Sequence, residues 1–119
     1  RKANVGIIAR EPLGNGFLAG KIAPDARFPP GDIRHHWPPA MVQGRSRVAE
    51  RLSFLTHPER TLAQAALAFV LAFPEVAVTI PGVKTPAQAE EDLRASEAPP
   101  LTETEVARVR DLYAHDFGL

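Results

Sequence analysis

The sequence contains no cysteine, which excludes a disulfide framework, thiolate metal sites and a cysteine nucleophile. It also lacks net charge. The 14 basic and 14 acidic residues cancel to zero, so there is no broad field to draw in nucleic acid or anionic lipid. No run approaches the roughly 18 apolar residues of a membrane span. Neither a nucleic-acid partner, a membrane nor a metal is therefore expected. The chain opens Arg1-Lys2-Ala3-Asn4, with neither an initiator methionine nor a secretion signal, and the expectation is an internal stretch of a longer, cytoplasmic protein. What is present bounds the fold. At 45% hydrophobic residues the chain can bury a core, while 12 prolines in 119 positions leave little room for long regular elements in the first half. One domain, or part of one, is the ceiling.

Val5-Gly6-Ile7-Ile8-Ala9 is a short continuous apolar run stopped at Glu11-Pro12. This pattern predicts a parallel strand buried on both faces. Glycine and proline recur through residues 14–44, which predicts a long excursion with at most short helical turns. Val48, Leu52 and Leu55 repeat at helical spacing and predict a helix over residues 45–56, ended by His57-Pro58. Thr61 and Gln64 form a capping box for a helix reaching residue 73, with Leu62, Ala65, Ala66, Phe69, Val70 and Phe73 on one face. Leu67, Ala68 and Leu71 make it apolar nearly all round, so it should lie between the sheet and another helix.

Residues 76–80 predict a second buried strand. Thr85 as N-cap, Pro86 at the first helical position and Gln88 at the third open a helix to about residue 95. Thr102 and Glu105 repeat the capping box for a final helix whose inward stripe is Val109, Leu112 and Tyr113. Tyr113, the sole tyrosine, is thereby assigned to packing rather than catalysis. The order of elements predicts an α/β chain with parallel strands. Two such strands cannot close a barrel, so partner strands are expected upstream or in another chain.

Two turns can carry chemistry. In residues 79–86 a strand delivers its end to Gly82, Lys84 and a helix N-terminus, an arrangement that favours an anion such as phosphate. An ordinary turn with a solvated lysine is the alternative. Residues 11–21 follow the other strand, and their glycines offer a backbone cradle or serve only to turn the chain. Gly14 to Ala19 formally satisfies G-x-G-x-x-A, but no amphipathic helix follows and no second strand carries the required acid, so the dinucleotide fold of that fingerprint is rejected. A helix-turn-helix over residues 61–73 is rejected too, because a strand follows and no basic recognition helix does. His35, His36, His57 and His115 lack metal spacing and are expected in solvent, with His35-His36 near a candidate substrate loop.

Pro12-Leu13 followed by Gly16, Leu18, Gly20 and Lys21 resembles the P-L-x-x-G-x-L-x-G-K pattern after the seventh strand of aldo-keto reductases. Residues 28–34, Phe-Pro-Pro-Gly-Asp-Ile-Arg, resemble the loop that follows it in many bacterial members. Residues 62–71 are similar to the family's seventh helix. Ile80-Pro81-Gly82 with Gln88, Glu91 and Asp92 resembles its I-P-G, Q, E-N series after the eighth strand. The ordered set covers nearly the whole chain.

The resemblance implies that residues 1–119 are a single partial domain, the C-terminal part of a TIM (β/α)8 barrel running from strand 7 to the C-terminal helix. It implies reduction of an aldehyde or ketone by hydride transfer from NADP(H). Leu13 and Gly16 would meet the pyrophosphate region largely through backbone, and Pro12 and Leu18 of the same motif would belong to the cofactor-binding set. Gly82 and Lys84 would face the phosphate on the adenosine ribose, and Gln88, Glu91 and Asp92 the adenosine end. The family's catalytic Asp-Tyr-Lys-His set belongs to the first half of the barrel, so no catalytic residue is assigned in this chain. A non-catalytic NADP-binding regulator with the same barrel, or a truncated remnant, is the alternative. Two departures stand out: Asp92 replaces the family's usual asparagine, and Arg10-Glu11 replaces a common tyrosine-serine pair. An aspartate accepts hydrogen bonds, whereas an asparagine also donates them.

Overall fold

Strand β1 (Ile7–Arg10) and strand β2 (Val76–Ile80) pair in parallel, Ile8 opposite Val78 and Arg10 opposite Ile80, with one irregularity between Ile7 and Ile8. The computed structural model describes residues 4–119. Arg1, Lys2 and Ala3, where the internal start was read, lie outside them. Between the strands come a long loop with one 3-10 turn at Phe17–Ala19, helix α1 (Pro39–Arg51), a second 3-10 turn at Ser53–Leu55 and helix α2 (Leu62–Leu71). After β2 follow α3 (Pro86–Leu93), which tightens into a 3-10 turn at Arg94–Ser96, and α4 (Glu103–Ala114). The expected order and parallel pairing are both observed. Among the described residues no helix is long and apolar enough to cross a membrane.

The burial of the strands is not as expected. Ile7, Ile8, Val78 and Ile80 are each between 44% and 61% exposed. The reason is geometric: β1 and β2 make a two-stranded sheet, so each strand has one neighbour, and a strand is covered on both faces only within a wider layered sheet. The apolar composition of the strands exceeds what their surroundings use.

The first helix also starts earlier than the sequence predicts. Pro39 occupies its first turn, where a missing amide costs nothing, and Val42, Ser46 and Ala49 form the buried stripe that residues 45–56 had been expected to begin. Ser46 Oγ donates to the Ile22 carbonyl at 2.6 Å, tying the helix to the preceding loop. Gly44 sits inside the helix with open space where a Cβ would point. A helical glycine there costs only about 1 kcal/mol. Proline and glycine here therefore start and tolerate a helix rather than prevent one.

The core lies among the helices. Ala49, Leu52, Leu55, Leu62 and Ala65 are buried together, with Leu18, Val48, Leu101, Val109 and Leu112 packed around them. The capping boxes of α2 and α4 are both formed, Thr61 with Gln64 and Thr102 with Glu105. Only the first half of α2 is enclosed as predicted, and the helix ends at Leu71 rather than at residue 73; Leu71 and Phe73, two positions beyond it, are 43% and 40% exposed. Tyr113 departs further. It is 75% exposed, touching Phe117 edge-on instead of facing the core.

One polar group anchors this core. The Arg60 side chain is 1% exposed and donates to the carbonyls of Leu55, Pro99 and Pro100, each at 3.0 Å, and to Glu105. His57 Nε2 joins the same carboxylate at 2.9 Å, so this histidine is engaged rather than merely solvated. Burial works to raise the Glu105 pKa. Hydrogen bonds from the Thr102 amide, His57, Arg60 and the Thr102 hydroxyl prevail and hold it at about 2, against an ordinary 4.5.

Candidate functional site

Because β1 and β2 are parallel, their C-terminal ends deliver two turns to the same edge of the molecule. After β2 the chain runs through Pro81, Gly82, Val83 and Lys84 into α3. The Thr85 hydroxyl accepts from the Gln88 amide at 3.2 Å, and Gln88 Oε1 in return accepts from the Lys84 amide at 2.7 Å. This reciprocal cap fixes the direction of the helix start and holds the Gln88 side chain over the turn. No atom lies within 4 Å of a Cβ built on Gly82, so the approach to the turn from outside is open. The Lys84 side chain is 77% exposed.

After β1 the backbone folds tightly on itself. Glu11, Gly14, Asn15 and Gly16 all take positive φ. The amides of Gly14, Gly16 and Leu18 donate to the carbonyls of Glu11, Leu13 and Leu13 at 2.9, 3.0 and 3.1 Å. Those amides are consumed in shaping the turn, which narrows the expected backbone cradle. Gly16 has a specific reason to be glycine: its φ is 90°, and a Cβ there would sit 3.3 Å from Arg34 Nη1.

Arg34 joins the loop to itself and to the turn after β1. Its backbone amide and Nε donate to Asp32 Oδ1 at 2.9 and 2.8 Å, Nη2 donates to Oδ2 at 2.7 Å, and Nη1 donates to the Asn15 carbonyl at 2.9 Å. The guanidinium also stacks 4.1 Å above the Phe28 ring. These hydrogen bonds, chiefly from the Arg34 side chain and then from its amide, hold the Asp32 carboxyl well below the usual carboxylate range. Asp32 Oδ2 in turn lies 3.5 Å from Lys84 Nζ. A second bridge crosses the same gap, from Lys21 Nζ to Glu91 Oε2 at 3.4 Å. Gln64 Nε2, from the capping box of α2, donates to the Glu91 carbonyl at 3.1 Å and fixes the underside of α3.

Of the residues singled out from sequence, Gly16, Lys84, Gln88 and Glu91 meet along this edge, and Gly82 stands open beside them. Leu13 contributes its carbonyl to the first turn. Pro12 and Leu18 face another way, into an apolar cleft of about 450 Å³ walled by Leu62, Phe69, Phe73 and Tyr113. Asp92 is half-buried, and desolvation, with the adjacent Glu91 charge, pushes its carboxyl up from the ordinary value. The residues that sequence reasoning undervalued are Asp32 and Arg34. Opposite charges two positions apart in a proline-rich loop were the available signal, but nothing local indicated that they would reach both Asn15 and Lys84.

The model of the aldo/keto reductase family matches residues 1–114. The aldo-keto reductase str7 of Strobilurus tenacellus is 33% identical over 116 residues, an alignment that covers 94% of this chain and 34% of that protein. The chain thus spans about a third of the length of this curated relative.

Proposed function

The chain belongs to the aldo/keto reductase family, and from that premise we propose that it supplies the adenosine end of an NADP(H) site in a carbonyl reductase. In this reading residues 1–119 are one part of a (β/α)8 barrel, and the apolar faces of β1 and β2 are completed by further strands of it. The observation that carries the proposal is Lys84, an exposed cation at the capped start of α3, beside an open glycine and facing the β1 loop across a narrow gap.

The residues present suit a phosphorylated nucleotide. Lys84 and Lys21 supply two cations on opposite sides of the gap, both largely exposed, and Gly82 leaves the backbone approachable. Gln88, held by its contact with the Lys84 amide, keeps its side-chain amide group at the turn. Pro12 and Leu18 stiffen the loop from its apolar side. When bound, the cofactor supplies the hydride. The role of this chain is to bind and orient its adenosine portion, and the proton donor to the carbonyl oxygen comes from residues beyond this segment. Tyr113 does not serve, since it stands at the α2–α4 cleft.

Replacing Lys84 by alanine in the full-length protein tests the reading. A charge-assisted contact to phosphate contributes roughly 1.5–3 kcal/mol. Fluorescence titration should therefore show NADPH binding weakened about 10-fold or more, with NADH nearly unaffected. Equal losses for the two would remove Lys84 from the phosphate site.

A further inference from the structure

We propose that Asp32 is a specificity-determining residue of the Lys84 site: an internal carboxylate that competes with a ligand phosphate for the lysine. It thereby sets how far a 2′-phosphorylated nucleotide is preferred over an unphosphorylated one. This rests on the reading of Lys84 given above and adds a counter-ion to it.

The two partners of the Lys84–Asp32 bridge are unequal. Asp32 is fixed: its side chain is 9% exposed, Arg34 donates to both of its oxygens, and Arg34 is itself held by Asn15 and Phe28. Lys84 is the mobile member, on a four-carbon stem, 77% exposed and 3.5 Å away. An incoming phosphate must therefore draw the ammonium off Asp32 or share it, and in either case a second anion is brought up to a carboxylate that cannot retreat. The charge count points the same way. Arg34 and Lys84 carry two positive charges and Asp32 one negative, so the trio presents a single net positive charge, which loss of the carboxylate charge would raise to two.

Asp32 could instead be thought to aim Lys84 at the phosphate. Geometry argues against it. A lysine that is itself largely in solvent is restrained only weakly by a carboxylate 3.5 Å away, whereas the carboxylate charge acts on a nearby phosphate well inside the roughly 8–10 Å screening length. Repulsion therefore outweighs orientation, and a loop carboxylate becomes a means of moderating anion affinity.

The test uses calorimetric titration of the full-length protein with adenosine 2′,5′-bisphosphate and with 5′-AMP. Asp32→Asn should tighten the bisphosphate about 3- to 10-fold and leave 5′-AMP within about 2-fold. In a Lys84→Ala background the same change should give a clearly smaller gain, only the part due to direct repulsion, whereas mere loosening of the loop would weaken both probes in either background. Because Asn cannot satisfy Arg34 as fully, Lys84→Arg provides a second arm on an exposed position: its fork can hold Asp32 and a phosphate together, and should tighten the bisphosphate several-fold. Unchanged or weaker bisphosphate binding in Asp32→Asn, or in Lys84→Arg should Asp32→Asn not fold, overturns the competition. If the wild type binds both probes equally and Lys84→Ala alters neither, the phosphate site itself is wrong and Asp32 falls with it. If Lys84→Ala abolishes a bisphosphate preference that Asp32→Asn does not raise, only the role of Asp32 fails.

Discussion

Two regions of this molecule use charge in opposite ways. Around Arg60 a guanidinium is enclosed at 1% exposure and spends its donors on three backbone carbonyls and Glu105. At the strand ends, Lys84 and Lys21 reach their carboxylates at 3.5 and 3.4 Å with side chains 77% and 73% exposed. The first arrangement joins the entry to α2, the Pro99-Pro100 segment and the start of α4 into one packed unit. The second leaves both lysine side chains largely in solvent. A buried charge is costly to strand, so it locks its surroundings, whereas an exposed pair contributes little to stability and leaves its members free for a ligand. The division also follows the apolar core, which is centred on α1, the Ser53–Leu55 turn and α2, with Leu18 reaching it from the turn after β1.

The contrast can be broken most forcefully at Arg60. Arg60→Ala would leave three carbonyls and the Glu105 carboxylate without their partner, and removal of one member of a buried pair costs roughly 3–5 kcal/mol. Chemical denaturation of the full-length protein should show a loss of that size. A loss under about 1 kcal/mol would place Arg60 with the exchangeable surface pairs and erase the distinction.

Acid sharpens the same difference. The Glu105 pKa is held at about 2 in the folded protein, below its ordinary 4.5. Its contribution to stability is therefore complete above about pH 4.5 and is lost as pH falls through about 2. Wild type and Glu105→Gln should differ most near neutral pH, and their unfolding free energies should converge toward pH 2. Parallel curves over that range would mean that the carboxylate is not held in its charged form by Arg60, His57 and Thr102.

How much of this was legible in the sequence depends on the range of the interaction. Thr61-x-x-Gln64, Thr85-Pro86 and Thr102-x-x-Glu105 announced three helix starts, because a cap is decided within four residues, and all three are formed. Strand β2 was equally clear. The start of α1 was not, since Pro39 and Gly44 were read as breakers when one initiates the helix and the other lies on it without a contact to lose. Tyr113 matched the inward period of α4, yet periodicity does not show where a helix leaves the core, and its ring lies outside. Gly82, Lys84 and Gln88 could be grouped from sequence because one turn holds them all. Asp32 meets Lys84 across 52 positions and Arg60 meets Glu105 across 45, separations over which local pattern carries no information.

The smallest expected effect lies at Lys21, and it separates binding from stability most cleanly. Its bridge to Glu91 spans 70 positions and connects the β1 loop to α3. A contact of such separation invites the inference that it holds the fold together. Yet the lysine is 73% exposed and the distance is 3.4 Å, and exposed pairs of this kind contribute about 0–1 kcal/mol. Glu91 is independently placed by the donation of Gln64 to its carbonyl, so α3 keeps its seat when the lysine is gone. Lys21→Ala should thus shift the unfolding free energy by less than about 0.5 kcal/mol, while calorimetry shows weaker binding of a nucleotide phosphate. A stability loss near that of Arg60→Ala would show that the strand-end turns are clamped as firmly as the helical core, and that their lysines are not held in reserve for a ligand.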